Sequence, residues 1–516
     1  MGRYKITAKK LHKYLGIPLC VLLLFASLSG ILLNHRDLLR QIDVPRWLLP
    51  KNYAYTNWNN GAFRGAVKTS QGVYLYGTAG LWRTDSTLTQ SPSPELAGLA
   101  SGGDERRMMA LVSDSTETLW AISQFRLYQR PIHSSHWQEV ALPEGIHGRL
   151  TDLQLHGDSL LLLSRSQLFV RSLRAPHWRE ITLPAPDGYT GKLLLFQLVW
   201  ALHSGEYFGL TGRLIVDLVG LVGRLIVDGI GIILLLLSLT GLSYTLFHTR
   251  LKRLKGKSKE TVSPEERRQL AQGLAKQDRW HRLLGRWTFW AVCFVSTTGW
   301  MLRPPLMLPL VFTKARPLPG TSLYSENPWF DRLRAIRYDQ KTGHWLLSTS
   351  QGFFTILGDK PKRWEVQPPV SPMGINAFVQ RADGSWLIGS FSGLYEVTPQ
   401  DSLPLRNYFT GERYEELKHV RPVTPNAVTG MMLGASRDED LIAYEQGIGL
   451  SPHYPIPQPE EMNELPYSLW QYALEWHTGR IYRPLIGSWG VELFIFFFGL
   501  AVTLVLWSGK RRLKRK

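Results

Sequence analysis

Six histidines stand where long apolar runs meet polar sequence: His12, His35, His203, His248, His281 and His477. Four of them recur in matched settings. His12 lies in LHKYLG and is followed by Gly16 and Gly30, whereas His281 lies in WHRLLG and is followed by Gly285 and Gly299 at the same spacings. His203 lies in VWALHSG, ending at Gly205, and His477 in ALEWHTG, ending at Gly479. Taken singly, each reads as a side chain facing headgroup water, because histidine is costly in hydrocarbon and tolerated at its edge. Taken as a set they suggest something more specific. Two imidazoles brought from two equivalent halves can ligate one metal from opposite sides. His12 with His281 would form one pair and His203 with His477 the other. His35 and His248 lack counterparts and stand as replacements for a member of either pair.

The elements that must position these residues are apolar runs at 17–34, 225–247, 287–312 and 488–507 of the 516-residue chain. Each is near the roughly 20 residues that cross a bilayer. The net charge of +19 sits in three places: residues 1–16, with five Lys/Arg and no acid; residues 249–286, with twelve Lys/Arg against four acids; and the tail 510–516 (KRRLKRK). Four crossings put all three on one side. The positive-inside rule makes that side the cytoplasm, in a bacterial-type inner membrane. Basic charge flanking helices also excludes the nucleic-acid reading of a pI near 9.8. Ala26-Ser27-Leu28-Ser29 resembles a signal-peptide cleavage site, but the same pattern recurs in the third run, where cleavage makes no sense. The two cysteines, Cys20 and Cys293, fall inside apolar runs and offer neither a disulfide framework nor a zinc site.

The predicted organisation is a cytoplasmic N-terminus (1–16), a transmembrane helix (17–35), a periplasmic β-rich segment (36–198) and a transmembrane helix with an outer extension (199–248). A basic cytoplasmic loop (249–286), a transmembrane helix (287–312), a second periplasmic β-rich segment (313–475), a transmembrane helix (476–507) and a basic tail (508–516) follow. The two large segments carry related strings: GVYLYGTAGLW (72–82), GHWLLSTSQGFF (343–354) and GSWLIGSFSGLY (384–395), with weaker copies at 118–128 and 158–169. Leu127 to Leu168 and Phe353 to Leu394 are both 41 residues apart, and Leu81 to Leu127 is 46. A period in the low forties with several short strands per unit suggests propeller blades. Three units fall in the first segment and two or three in the second. One propeller-like body shared by both segments is favoured over two separate β domains.

The membrane runs are duplicated. Besides the histidine strings, SLSG of the first run matches STTG of the third. The second run contains a tandem insertion, GRLIVD at 212–217 and again at 223–228. Eleven residues make nearly three turns, so the helix keeps its face. Removing the insertion aligns Thr240 with Thr503. The fold class is therefore membrane α-helical, with four transmembrane helices in two parallel repeats, plus β-rich, propeller-like periplasmic segments.

HKYLG with its later SG, and the LHSG and WHTGR strings entering the second and fourth runs, resemble the PepSY-associated transmembrane family. The resemblance covers the four runs and their flanks, and not the β-rich segments. Members include haem-containing inner-membrane ferric-siderophore reductases. The resemblance implies two haem b groups, an inner one held by His12 and His281 and an outer one by His203 and His477, reducing a ferric chelate in the periplasm. Gly16, Gly30, Gly285 and Gly299 would let a flat macrocycle or a neighbouring helix approach. Arg213 and Arg224 could meet propionates or serve as snorkelling anchors. Asp217, Asp228 and Glu492, in or near apolar runs, are candidates for moving protons. No cytoplasmic piece is long enough for a flavin or nicotinamide domain, so electrons would come from a quinol or another protein. The partners implied are the lipid bilayer, that donor, and a ferric chelate or periplasmic partner. The alternative is a membrane sensor or scaffold without enzymatic activity, whose outer β region binds a ligand or protein.

Overall fold

The computed structural model describes residues 8–208, 216–255, 263–358, 360–370, 374–398, 405–414, 427–449 and 454–514. The chain divides into a helical unit (1–39, 191–325, 470–516) and a β unit (40–190, 326–469). Both β-rich segments of the sequence thus contribute to one unit.

The helices are α1 (Ala8–Asn34), α2 (Arg36–Leu39), α3 (Leu195–Ser204), α4 (Val216–Lys255), α5 (Pro264–Trp287), α6 (Phe289–Met301), α7 (Met307–Phe312), α8 (Leu469–His477) and α9 (Arg483–Lys514). Among the described residues, Lys10–Asn34, Val222–Arg253 and Arg480–Lys510 are long and apolar enough to cross a membrane. The chain is therefore an integral membrane protein, with lipid as the solvent of these helices.

The third run departs from expectation. In place of one helix over 287–312, α5 passes into α6 at Thr288 (φ −103°, ψ 5°), α6 is only 13 residues long, and Pro304 and Pro305 separate it from α7. The prolines explain the second break, since they lack an N–H and exclude helical geometry in the preceding residue. At the first break hydrogen bonds continue on both sides, Thr288 N–H to Leu284 O at 3.0 Å and Val292 N–H to Thr288 O at 2.9 Å. Helix α5 starts on an N-cap, Ser263 Oγ accepting from Glu266 N–H at 3.1 Å, with Pro264 in the first turn.

The H-S/T-G strings acquire a structural meaning. Each histidine closes a short helix, α3 or α8, and the glycine two residues later has a left-handed backbone: Gly205 at φ 80° and Gly479 at φ 70°. Only glycine enters that region without strain, which makes it the standard helix stop. The chain can then turn into α4 or α9.

The β unit contains, among the described residues, antiparallel sheets at 65–94, 108–140, 150–181, 333–363, 377–407 and 428–448, the last with three strands and the others with four. Strands follow sequence order in each. The glycine that opens the third strand of the first, fourth, fifth and sixth sheets (Gly80, Gly352, Gly393, Gly447) lies at φ 103–133°. That is the special geometry behind the repeated SG and QG.

Alternation along the middle strands divides each sheet's two faces between two neighbours. Tyr74 packs with Leu119 and Tyr128 of the second sheet, whereas Val73 and Leu75 pack with Leu441 and Ala443 of the sixth. Leu160 and Leu162 join the second and third sheets; Leu161 and Leu163 join the third to Leu333 and Leu347 of the fourth. Leu346 and Phe353 meet Trp386 and Ile388 of the fifth, and Leu387 and Leu394 meet Val428 and Ile442 of the sixth. The succession of shared cores returns to its start. The third unit of the second segment, 428–448, completes three sheets from each segment.

Candidate functional site

The four repeated histidines come together as two pairs within the helical unit. The rings of His12 (α1) and His281 (α5) have centroids 6.1 Å apart, and those of His203 (α3) and His477 (α8) are also 6.1 Å apart. The interplanar angles are 72° and 40°. Each pair takes one residue from each half of the chain. Along α1, 17 residues separate His12 from Ser29, which touches His477. At 1.5 Å per residue the pairs lie about 26 Å apart along that helix.

All four imidazoles are held in one way. His477 Nδ1 lies 3.0 Å from Ala26 O and 3.2 Å from Ser29 Oγ. His203 Nδ1 lies 3.2 Å from both Val295 O and Thr298 Oγ1. His281 Nδ1 lies 3.1 Å from both Leu237 O and Thr240 Oγ1. His12 Nδ1 lies 3.1 Å from Val505 O and 3.3 Å from Ser508 Oγ. A carbonyl only accepts, so each Nδ1 carries a proton, and in a neutral ring the lone pair then lies on Nε2. In every case the carbonyl belongs to residue i, the hydroxyl to i+3 and a glycine to i+4 of one partner helix.

Those glycines touch the rings. A Cβ at Gly299 would lie 2.7 Å from His203 Cε1, at Gly30 3.1 Å from His477 Cε1, at Gly509 3.3 Å from His12 Cε1, and at Gly241 3.4 Å from His281 Cε1. Gly30 and Gly299 thus act by admitting an imidazole. The other two predicted glycines differ: a Cβ at Gly16 would meet nothing within 4 Å, and one at Gly285 only Leu237 Cδ2 at 3.8 Å.

The pattern is a fourfold [ST]-G: SLSG (27–30), SLTG (238–241), STTG (296–299) and LWSG (506–509). Sequence reasoning found the first and third copies and missed the others, although the strings were there to be matched. The same geometry corrects the alignment of the second and fourth runs. Thr240 corresponds to Ser508 and not to Thr503, whose hydroxyl bonds only its own helix at Gly499 O, 3.0 Å away. The halves take different numbers of residues to reach the helix after His203 and His477, so removal of an 11-residue insertion leaves the register wrong by five.

The remaining candidates lie elsewhere. His35 Nε2 is 2.9 Å from Asp228 Oδ2, and Asn34 Nδ2 donates to Asp228 Oδ1 at 2.8 Å, so these residues satisfy one another and His35 joins neither pair. His248 is exposed and stacks near Tyr244, with ring centroids 6.1 Å apart. Arg224 faces Glu206 at 3.5 Å, and Glu492 pairs with Arg303 at 2.8 Å. Arg213 lies outside the described residues, as does the side chain of Asp217.

Two imidazoles at this separation could hold a metal between their Nε2 atoms. Metal–nitrogen bonds of about 2 Å, with ring centres about 1 Å further back, require centroids about 6 Å apart. Among the described residues no three His, Cys, Asp or Glu side chains cluster. A metal at either pair would need its other ligands from elsewhere.

Apolar helices that carry paired histidines, joined to a unit of small antiparallel sheets, define an integral membrane protein with a duplicated helical core. The chain belongs to the family of the PepSY-associated TM region, which matches residues 217–512. No match was found among curated proteins. Among solved structures, the extracellular domain of the hybrid two component system BT4673 from B. thetaiotaomicron is 12% identical, with 78% of this chain and 39% of that one covered and a TM-score of 0.34. YCF48 from Cyanidioschyzon merolae is 10% identical, with 76% and 80% covered and a TM-score of 0.33. This chain thus spans well under half of the first of these, and both likenesses are too slight to bear on fold or function.

Proposed function

We propose that the protein binds two haem b groups, one between His12 and His281 and one between His203 and His477, and carries electrons across an inner membrane to a ferric chelate on the periplasmic side. The observation that carries this reading is the fourfold imidazole clamp. Two pairs at 6.1 Å, each with both Nδ1 atoms held by a carbonyl and a hydroxyl, bring two imidazoles from opposite halves of the chain to metal-bridging distance. Among the described residues two histidines, with no third His, Cys, Asp or Glu, meet at each pair, which suits a metal whose equatorial positions a macrocycle fills. When bound, haem would supply one-electron chemistry. The protein's own part is positional: the carbonyl and hydroxyl acceptors fix each ring's orientation and tautomer, and such outer-shell partners set ligand basicity and metal affinity.

In this reading α6 and α7 make the fourth crossing beside the three long helices, and the basic segments 1–16, 249–286 and 508–516 face the cytoplasm. The six sheets form a six-bladed propeller in the periplasm. Support comes from the successive cores that lead from each sheet to the next and back to the first.

The test is haem per protein by pyridine haemochrome, with electron paramagnetic resonance for spin state. Wild type should hold two low-spin haems. His12→Ala or His281→Ala should lose one and His203→Ala or His477→Ala the other, while His35→Ala and His248→Ala keep both. Wild type without haem under ample haem supply would overturn the electron-transfer reading in favour of a sensor or scaffold.

A further inference from the structure

The first strands of the second to fifth sheets, with Arg64 and Tyr76 of the first, surround a small cavity of about 80 Å³, room for a compact ion or a few waters. Its charged lining is unbalanced. Three arginines reach it, Arg64 from the first sheet and Arg334 and Arg337 from the fourth, against one acid, Asp152 from the third. Asp152 is already committed. It pairs with Arg337 and accepts the Ile336 N–H at 2.9 Å. Arg64 Nη1 points to the Met109 thioether at 3.3 Å, a weak acceptor that neutralises nothing. Arg334 is buried, and its Nη1 is aimed by the carbonyls of Leu333 at 2.8 Å and Asp331 at 3.1 Å. Burial is the main cause that pushes both Arg64 and Arg334 down to about 10; Arg107 adds repulsion at Arg64, partly offset by Tyr76 and Glu445, and Arg165 at Arg334, partly offset by Asp331. Both still carry charge at neutral pH. Gln154 and Tyr76 add polar groups to the wall.

Crowded guanidinium groups in a partly desolvated cavity favour an anion. Their planar forks match carboxylate and phosphate oxygens two at a time. We propose that this cavity is a binding site for a small oxyanion bearing two or more carboxylate or phosphate charges, held chiefly by Arg64 and Arg334. The site is independent of the haem reading, since every residue named belongs to the β unit.

The test is titration calorimetry of the full chain in detergent micelles with citrate, succinate and inorganic phosphate, with glycerol and putrescine as neutral and cationic controls. At least one anion should bind at one per chain, more weakly at 0.3 M than at 0.05 M salt, and the controls should not bind. Arg64→Met and Arg334→Met should each weaken binding at least tenfold. Asp152→Asn, which removes the lining's one acid, should strengthen it severalfold, a gain that damaged folding could not produce. Absence of binding for all three anions to wild type would overturn the proposal, as would wild-type affinity in both arginine variants.

Discussion

Replacing Gly299 by alanine sets a favourable local effect against an unfavourable contact, so its outcome is informative. Alanine is the better helix former by about 1 kcal/mol. If α6 needed only to be a helix, the substitution would stabilise the protein. The new Cβ, however, would sit 2.7 Å from His203 Cε1, where carbon pairs prefer about 3.5–4.0 Å. The ring must retreat by about 1 Å or the helices must part. Either movement disturbs the His203 Nδ1 contacts to Val295 O and Thr298 Oγ1, both at 3.2 Å. Overpacking of this kind costs about 1–3 kcal/mol. Charged to ligand binding, that is roughly 5- to 150-fold in affinity. Gly30→Ala, at 3.1 Å, should have a milder effect on the same site, and Gly509→Ala and Gly241→Ala, at 3.3 and 3.4 Å, the mildest on the other. The assay is haem titration of apoprotein, each site followed in the Soret band and its spin state by electron paramagnetic resonance. Gly299→Ala with wild-type affinity, or four equal losses, would refute the reasoning.

Thr240→Val removes the hydroxyl 3.1 Å from His281 Nδ1 but leaves Leu237 O in place. Under the proposed haem pairing it should weaken binding at the His12–His281 site by about tenfold and spare the His203–His477 site, as outer-shell changes do; unchanged affinity and spectrum would exclude a role for the hydroxyl. Asp85, in the β unit, is held below the usual carboxylate range first by the Thr87 hydroxyl and then by the Gln90 N–H at 2.7 Å. A depressed folded value gives stability that is present above the unfolded value of about 3.9 and is lost as pH falls through the folded one. Asp85→Asn should therefore melt below wild type at pH 7, with the gap beginning to narrow below about pH 4 and closing only in much stronger acid; a gap independent of pH would contradict this. Ser135→Cys, on the exposed surface of the β unit, should react with an impermeant thiol reagent in spheroplasts, whereas Gln272→Cys in α5 should not. The reverse result would invert the topology.

The pairing of histidines was legible because it depends on repeated strings at equal spacing, and the apolar runs were legible because length and charge define them. What escaped was local geometry. The break at Thr288 leaves hydrogen bonds intact on either side, so no residue announces it. The acceptor role of Leu237, Val295, Val505 and Ala26 belongs to backbone carbonyls, for which side-chain identity carries no signal. Thr240 and Ser508 were readable only once SG and TG were sought in all four runs. In the β unit, strings with GW and SG marked the strong repeats. The sixth sheet was faint because Val428–Met432 and Leu441–Tyr444 lack that tryptophan, and its third strand is two residues long, Gly447–Ile448. Arg64 and Arg334 drew no attention, since a strand-edge arginine reads as exposed until a ring of neighbours encloses it.

The order of the chain also imposes a timetable. The third sheet is complete at residue 181, and the sixth sheet, whose Leu441 and Ala443 meet the first, is complete only at Ile448, more than 260 residues later and beyond two of the apolar runs. At ribosomal speeds of about 5–20 residues per second, roughly 13 to 54 seconds pass between these events. Throughout that interval Val73, Leu75 and Trp82 at one end lack the partners that later cover them, and for its first part, until Phe354 is made, so do Leu161, Leu163 and Leu168 at the other. A nascent arc with two sticky ends thus waits while membrane insertion proceeds. Slowing translation or insertion should leave this protein unusually exposed to proteases and dependent on holdase chaperones, with the finished chain indifferent to both.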